Sequence, residues 1–312
     1  MLTRTSRMVR RTGAVGSALV LALILSACSG GNAANESTNS TPTGTVQSPA
    51  ALPDDIGKRG TLRVGIAPDF APAEFYKPGT KEIVGYDPDL ITAIAGALGL
   101  RTEFVPVGYD GLIPGLQADR FDVVMSGLTD TAERQKVVSF VDYMKHYQVF
   151  VVLADNKAGV SGDMLTVCGK RLATENGSTT VDYAKTVADK CRAAGRAEPV
   201  VTTFADQTAS TLALRSDRVD VAFRSPLAVP ELQKATDNAF RTFKVDGIPT
   251  VLLGIATIKD DTVLLDALLA GLKSIQADGK YHRIMSGWGV SDVEFDKPGI
   301  NLATTDPSAV PA

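Results

Sequence analysis

The sequence predicts an α/β protein of two similar lobes, the second inserted into the first and joined to it by two extended crossings. Three observations predict this. Short apolar strands alternate with helices, which implies parallel pairing in α/β layers. The alternation begins near residue 60 and restarts near residue 170, and two β-rich runs, His146–Leu153 and Thr250–Ile258, read as the crossings between lobes. The stretch from about Pro53 to Pro298 is long enough for both.

At the N-terminus, Arg4, Arg7, Arg10 and Arg11 precede an apolar run, Ala14 to Leu25, too short to be a permanent span. Small residues follow, in Leu25-Ser26-Ala27-Cys28. This order of basic, apolar and small residues reads as a secretory signal over residues 1–27. A cysteine at that point resembles the bacterial lipobox, in which the chain is cut before a diacylated thiol; a plain signal with an incidental Cys28 is the other reading. Residues 28–52 are mostly small and polar up to Ala50, with Glu36 the one charge before it. They hold too little apolar surface to offset the entropy of ordering them and are expected to be a flexible tether. About 25 such residues span roughly 25–30 Å.

In the first lobe, Thr61 to Ile66 reads as a strand. Asp87-Pro88 offers an N-cap and a first-turn proline, and Leu90, Ile91, Ile94 and Leu98 recur at helical spacing up to Gly99. A strand at Thr102–Val107, a short helix at Gly111–Ala118 and a buried strand at Asp122–Met125 follow. The second lobe repeats the pattern: strand Arg171–Thr174, helix Val181–Ala194, strand Val200–Phe204, helix Gln207–Arg215 and strand Val219–Phe223. Helices at Asp261–Ala277 and Tyr281–Met285 close the chain. The expected boundaries are 53–147 and 253–300 for lobe 1, 148–252 for lobe 2, and 301–312 for a C-terminal tail.

Removing the four signal arginines takes the net charge from −3 to −7. An acidic balance without a basic run argues against nucleic acid. With Cys28 assigned to lipid, Cys168 and Cys191 remain. An even pair in an exported chain is expected to form a disulfide. His146 and His282 are the only histidines and neither lies in a ligand-spaced cluster, so neither metal nor cofactor is expected.

Several stretches, in order, resemble the family 3 extracellular solute-binding proteins, the polar amino-acid receptors of ABC importers. They are Leu62-Arg63-Val64-Gly65, Phe70 to Phe75, Gly85-Tyr86-Asp87-Pro88-Asp89-Leu90, Tyr109 to Pro114, Phe121 to Thr129 with Thr131, Glu133 and Arg134, Gly177-Ser178-Thr179-Thr180, Arg218 to Phe223, and Ala277 to Tyr281. The resemblance covers about residues 60–290. It implies a two-lobed, periplasmic-binding-protein-like fold that closes on its ligand like a trap.

The candidate site follows from the residues and the resemblance together. Ser126, Gly127 and Thr129 sit at the carboxyl end of a buried strand, where open α/β sheets bind ligands. Arg134 offers a planar fork suited to a carboxylate, and the resemblance assigns it the ligand's α-carboxylate. Ser178 and Thr179, between a strand and a helix, present N–H groups to an anion or cap that helix. Phe70 and Tyr109 match positions that pack over the ligand. One departure stands out. Where the resembling proteins carry an aspartate for the ligand ammonium, this chain has Ser225, preceded by Arg224. Glu175 and Asp69 are the alternative acids. If Arg224 turns inward, an acidic, N-substituted or opine-like solute is expected over lysine or arginine; if Glu175 or Asp69 takes the amine, an ordinary amino acid.

The resemblance implies a monomeric substrate-binding lipoprotein on the outer face of the cytoplasmic membrane. It would capture a small-molecule solute with a carboxylate and deliver it to an ABC permease. The alternative is an exported enzyme like the cyclohexadienyl dehydratases of the same fold. Catalysis needs a positioned acid or base of tuned pKa, and no nucleophile elbow or phosphate loop is present, so a non-enzymatic receptor is expected.

Overall fold

The computed structural model describes residues 50–309. The signal segment, Cys28 and the tether up to residue 49 lie outside the described residues. The chain runs through α1 (Asp54–Arg59), β1 (Thr61–Ile66), β2 (Asp69–Phe70), β3 (Glu74–Tyr76), β4 (Ile83–Val84), α2 (Tyr86–Ala97), β5 (Arg101–Pro106), α3 (Leu112–Gln117), β6 (Val123–Val124) and β7 (Val138–His146). It continues through β8 (Val149–Leu153), β9 (Arg171–Glu175), α4 (Thr180–Ala193), β10 (Val200–Phe204), α5 (Gln207–Arg215), β11 (Val221–Arg224), α6 (Val229–Ala235) and β12 (Phe240–Lys244). It ends with β13 (Val251–Ile258), α7 (Thr262–Ala277), α8 (Lys280–Gly287) and α9 (Leu302–Thr305).

Two five-stranded sheets result, ordered β5-β1-β6-β13-β7 and β10-β9-β11-β8-β12. Each is parallel across its first three strands and antiparallel across its last two. The antiparallel strands flank the crossings, where the chain enters a lobe from the other one. The crossings are shorter than the β-rich runs suggested. Val149 already pairs in the second sheet, and Val251 already pairs with His146 in the first. The links are therefore the turn Tyr147–Gln148 and the stretch 245–250. A three-stranded sheet, β2-β3-β4, stands beside the first lobe.

The strands read as continuous apolar runs because both faces are covered; Leu62, Val64, Ile66, Val123 and Val124 are fully buried. The α2 face predicted by spacing, Leu90, Ile91 and Ile94, packs in one core with Leu268 and Leu272 of α7. At about 1.5–3 kcal/mol for each large side chain buried, such faces hold the helices on the sheet.

One local expectation fails. Asp87 does not cap α2: Gly85 is the N-cap residue, and Asp87 lies inside the first turn, fully buried. Its carboxylate instead accepts from the Tyr143 hydroxyl at 2.7 Å and the Gly127 N–H at 2.9 Å.

The lobes repeat one anchoring device. Arg63 within β1 clasps Asp122 and Asp119, and Arg171 at the start of β9 clasps Asp220 and Asp217 in the same way. Cys168 and Cys191 form a disulfide, Cα–Cα 5.6 Å, tying the segment before β9 to the last turns of α4. With a sequence separation of 23, it stabilises the second lobe by about 3 kcal/mol in the chain-entropy picture. The segment 299–305, within and just before the expected tail, packs on the first lobe. Asn301 exchanges hydrogen bonds with the Phe140 backbone, and the Leu302 and Ala303 N–H groups donate to Asp142 and Asp130.

Candidate functional site

A cavity at the centre of the cleft is lined by both lobes. Asp69, Phe70, Tyr109, Gly127 and Thr129 come from the first, and Glu175, Ser178, Thr179, Thr180, Gln207, Phe223, Arg224 and Ser225 from the second. His146 and Gln148 reach it from the crossing between β7 and β8. Loops at the carboxyl ends of parallel strands supply most of these groups, because there the strands' free ends face the opposite lobe.

On the first-lobe side, Gly127 has φ +55°, a left-handed conformation that favours glycine. The absent side chain lets the Phe70 ring lie over the turn; a Cβ would stand 3.2 Å from that ring. Ser126, expected to contact ligand, is fully buried and not among the residues that line the cavity. Its hydroxyl accepts from the Ala67 N–H and donates to Glu74. The strand end is buried too deeply for a side chain there to reach the cleft.

Arg134 also stands outside the lining. It begins a single 3-10 turn rather than a longer helix. Its guanidinium donates to the Thr129 carbonyl at 2.8 Å and to the Gly177 carbonyl of the second lobe at 2.9 Å. The pKa of the neighbouring Tyr109 phenol is raised by burial and lowered by the charge of Arg134. Guanidinium has five N–H donors in all, so this clasp leaves others for a ligand at the cavity edge. The lobes touch closely beside it: a Cβ on Gly177 would come within 2.9 Å of the Asp110 Cα, and Asn176 donates to Asp110.

The second-lobe side carries the charge. Glu175, at the end of β9, is buried, and burial followed by the charge of Asp69 pushes its pKa up to about 8, with Arg224 opposing. Asp69 is raised as well, first by burial, and accepts from the Gln207 N–H across the lobes at 3.4 Å. Arg224 does turn inward, and burial lowers its pKa to about 10. Its terminal nitrogens are engaged by the protein: the Phe223 and Gln207 carbonyls and the Ser210 and Thr211 hydroxyls accept from them. The Ser225 hydroxyl accepts from the Leu227 N–H as a cap. Ser178 donates to the Glu175 carbonyl and Thr180 accepts from the Glu175 N–H, so these hydroxyls shape the turn that precedes α4.

Sequence reasoning missed His146 and Gln148 as site residues. Their period-two spacing on the crossing puts both side chains on one face, which was the available signal. Burial pushes His146 down to about 4, so its ring is neutral and accepts from the Gln148 amide, Nε2 to Nε2 3.0 Å. The Gln148 Oε1 is then left buried with no partner among the described residues. An unmet acceptor beside two carboxylates suits a ligand that brings N–H donors.

The chain is similar to known proteins over most of its length. The family described as bacterial extracellular solute-binding proteins, family 3, matches residues 62–291. The chain is 27% identical over 261 residues to the arginine-binding protein ArgT of Corynebacterium glutamicum, covering 81% of this chain and 82% of that protein. It is 28% identical over 250 residues to the histidine-binding periplasmic protein of Escherichia coli, covering 78% and 91%. Among solved structures it resembles an ancestral arginine-binding protein bound to arginine, with 32% identity, a TM-score of 0.68, and coverage of 74% of this chain and 99% of that one.

Proposed function

We propose a ligand and an anchorage for this chain, which belongs to the bacterial extracellular solute-binding proteins of family 3 and serves an amino-acid ABC importer as its binding protein, not as an enzyme. It acts outside the cytoplasm. The ligand is a free α-amino acid. Its ammonium group lies between Glu175 and Asp69, and its carboxylate lies at Arg134 and at Thr129 and Thr179 of the turns that line the cleft.

One observation carries this reading. The cavity holds two carboxylates whose pKa values are raised mainly by burial, while the buried arginine beside them has its terminal nitrogens engaged by protein acceptors. An incoming cation relieves that cost, whereas Arg224 already gives four hydrogen bonds to protein acceptors. Glu175 and Asp69 thus supply the negative charge that Ser225 lacks. The acidic or opine-like solute suggested by Arg224 in the sequence has correspondingly less support.

The sign of the pH dependence follows. Glu175 titrates near 8 in the empty site, so at pH 7 it is mostly protonated. A bound ammonium favours the carboxylate, and binding therefore releases a proton. Affinity for L-arginine, as probe, is expected to rise by up to about tenfold per pH unit, then level off above pH 8. Calorimetry in buffers of different ionisation heat reads the released proton, and Glu175→Gln should abolish both effects. Affinity that stays flat between pH 6 and 8 in the unsubstituted protein would contradict the assignment.

Cys28 is the proposed lipid attachment site, supported by the small residues before it and the tether after it. In a bacterium that processes lipoproteins, Cys28→Ser should move the protein from the membrane fraction to the soluble one. Unchanged membrane retention would refute the anchor.

A further inference from the structure

We propose that Glu74 and Asp87 form a proton-sharing pair, with the proton on Glu74, and that this pair positions the floor of the binding cleft without touching ligand. Both side chains are inaccessible, Glu74 1% and Asp87 0% exposed. Their backbones are pressed together: the Asp87 N–H donates to the Ala73 carbonyl, and a Cβ on Gly85 would lie 2.0 Å from that same oxygen. The donors around them decide where the proton is. Asp87 Oδ1 accepts from Tyr143 and Oδ2 from the Gly127 N–H. Glu74 Oε1 accepts from Ser126 at 2.8 Å, since the Ser126 oxygen is already an acceptor for the Ala67 N–H. Glu74 Oε2 meets no donor among the described residues, and the two carboxyls are held by donors from adjacent residues, Ser126 on Glu74 and Gly127 on Asp87.

Two acceptors that face each other away from water need a proton between them. Both Asp87 oxygens already receive donors, so the proton belongs on Glu74 Oε2. The other groups facing the pair agree. Burial raises Glu74 first, then the charge of Asp87, with Asp69 and, once ionised, Glu175 adding negative charge from the cleft; the Tyr86 and Tyr143 phenols are themselves raised by burial and stay neutral. Through these bonds the pair holds Ser126 and the Gly127 N–H, and Gly127 and Thr129 line the cavity. The positioning role rests on that cavity being the ligand site; the protonation does not.

The test uses the full mature chain. Glutamine at 74 reproduces the acceptor toward Ser126 and the donor toward Asp87, whereas alanine removes both. Glu74→Ala is expected to weaken L-arginine binding by about tenfold or more, and Glu74→Gln to restore most of it. Infrared spectra at neutral pH should show a carboxylic-acid C=O band that Glu74→Gln removes. A raised folded pKa gives stability that is complete below the unfolded carboxylate range and is lost as pH rises toward the folded value. The melting temperature of Glu74→Gln should therefore gain on the unsubstituted protein from pH 5 to 8. Band and pH slope are read without ligand, so a wrong ligand leaves them intact. Absence of the band, or a glutamine variant no better than alanine in unfolding and binding, would overturn the pair.

Discussion

Arg134→Ala is expected to weaken amino-acid binding by about two to three orders of magnitude, since removing one partner of a desolvated charge pair costs roughly 3–4 kcal/mol. Two losses combine. The ligand carboxylate loses the fork proposed to hold it. The lobes lose the clasp in which one guanidinium joins the Thr129 carbonyl to the Gly177 carbonyl. Lysine keeps the charge but presents no planar fork, so Arg134→Lys should recover only a minor part of the loss. Titration calorimetry on the three proteins with L-arginine measures this. A loss below about tenfold for alanine would place the carboxylate elsewhere in the cleft.

Gly85→Ala is expected to be the most damaging single methyl group in the first lobe. The residue has φ +140°, and a Cβ there would sit 2.0 Å from the Ala73 carbonyl oxygen and 2.9 Å from the Glu74 nitrogen. These obstacles are backbone atoms, so no rotamer change relieves them. Backbone strain of about 1–3 kcal/mol adds to overpacking of similar size. A total near 3 kcal/mol lowers the melting temperature by roughly 6–12 °C. Because Gly85 sets the approach of β3 to α2, binding should fall as well. A variant melting within 2 °C of the unsubstituted protein would contradict this close packing.

The repeated α/β pattern was legible in the sequence because buried parallel strands and one-sided helices leave periodic apolar marks, as at Leu62, Val64 and Ile66 or Leu90, Ile91 and Ile94. The short strands β2, β3 and β4 and the edge strand β12 left no such mark, since apart from Glu74 and Phe240 their residues are half-buried or exposed. At the site, the residue types were readable and their partners were not. Asp87 before Pro88 reads as a cap because local rules cannot see Tyr143, 56 residues away. Ser126 reads as a ligand contact until Glu74, 52 residues away, accepts its hydrogen bond. Arg224 reads as a free cation until α5 supplies its acceptors. In each instance the position in the chain was informative, and the direction of the side chain was set by tertiary contacts that spacing does not encode.

Recognition of an amino acid rests on Glu175 and Asp69 receiving its free ammonium. The most direct measurement is calorimetric titration of the mature protein, at pH 8, with L-arginine and L-histidine and with their Nα-acetyl derivatives. One-to-one binding of at least one free amino acid is expected, with the acetylated partner weaker by at least a hundredfold, because acetylation removes the charge that the two carboxylates require (about 2.7 kcal/mol at this ratio). Equal or tighter binding of the acetylated compound would contradict it, and would return Arg224 and Ser225 to the centre of ligand recognition.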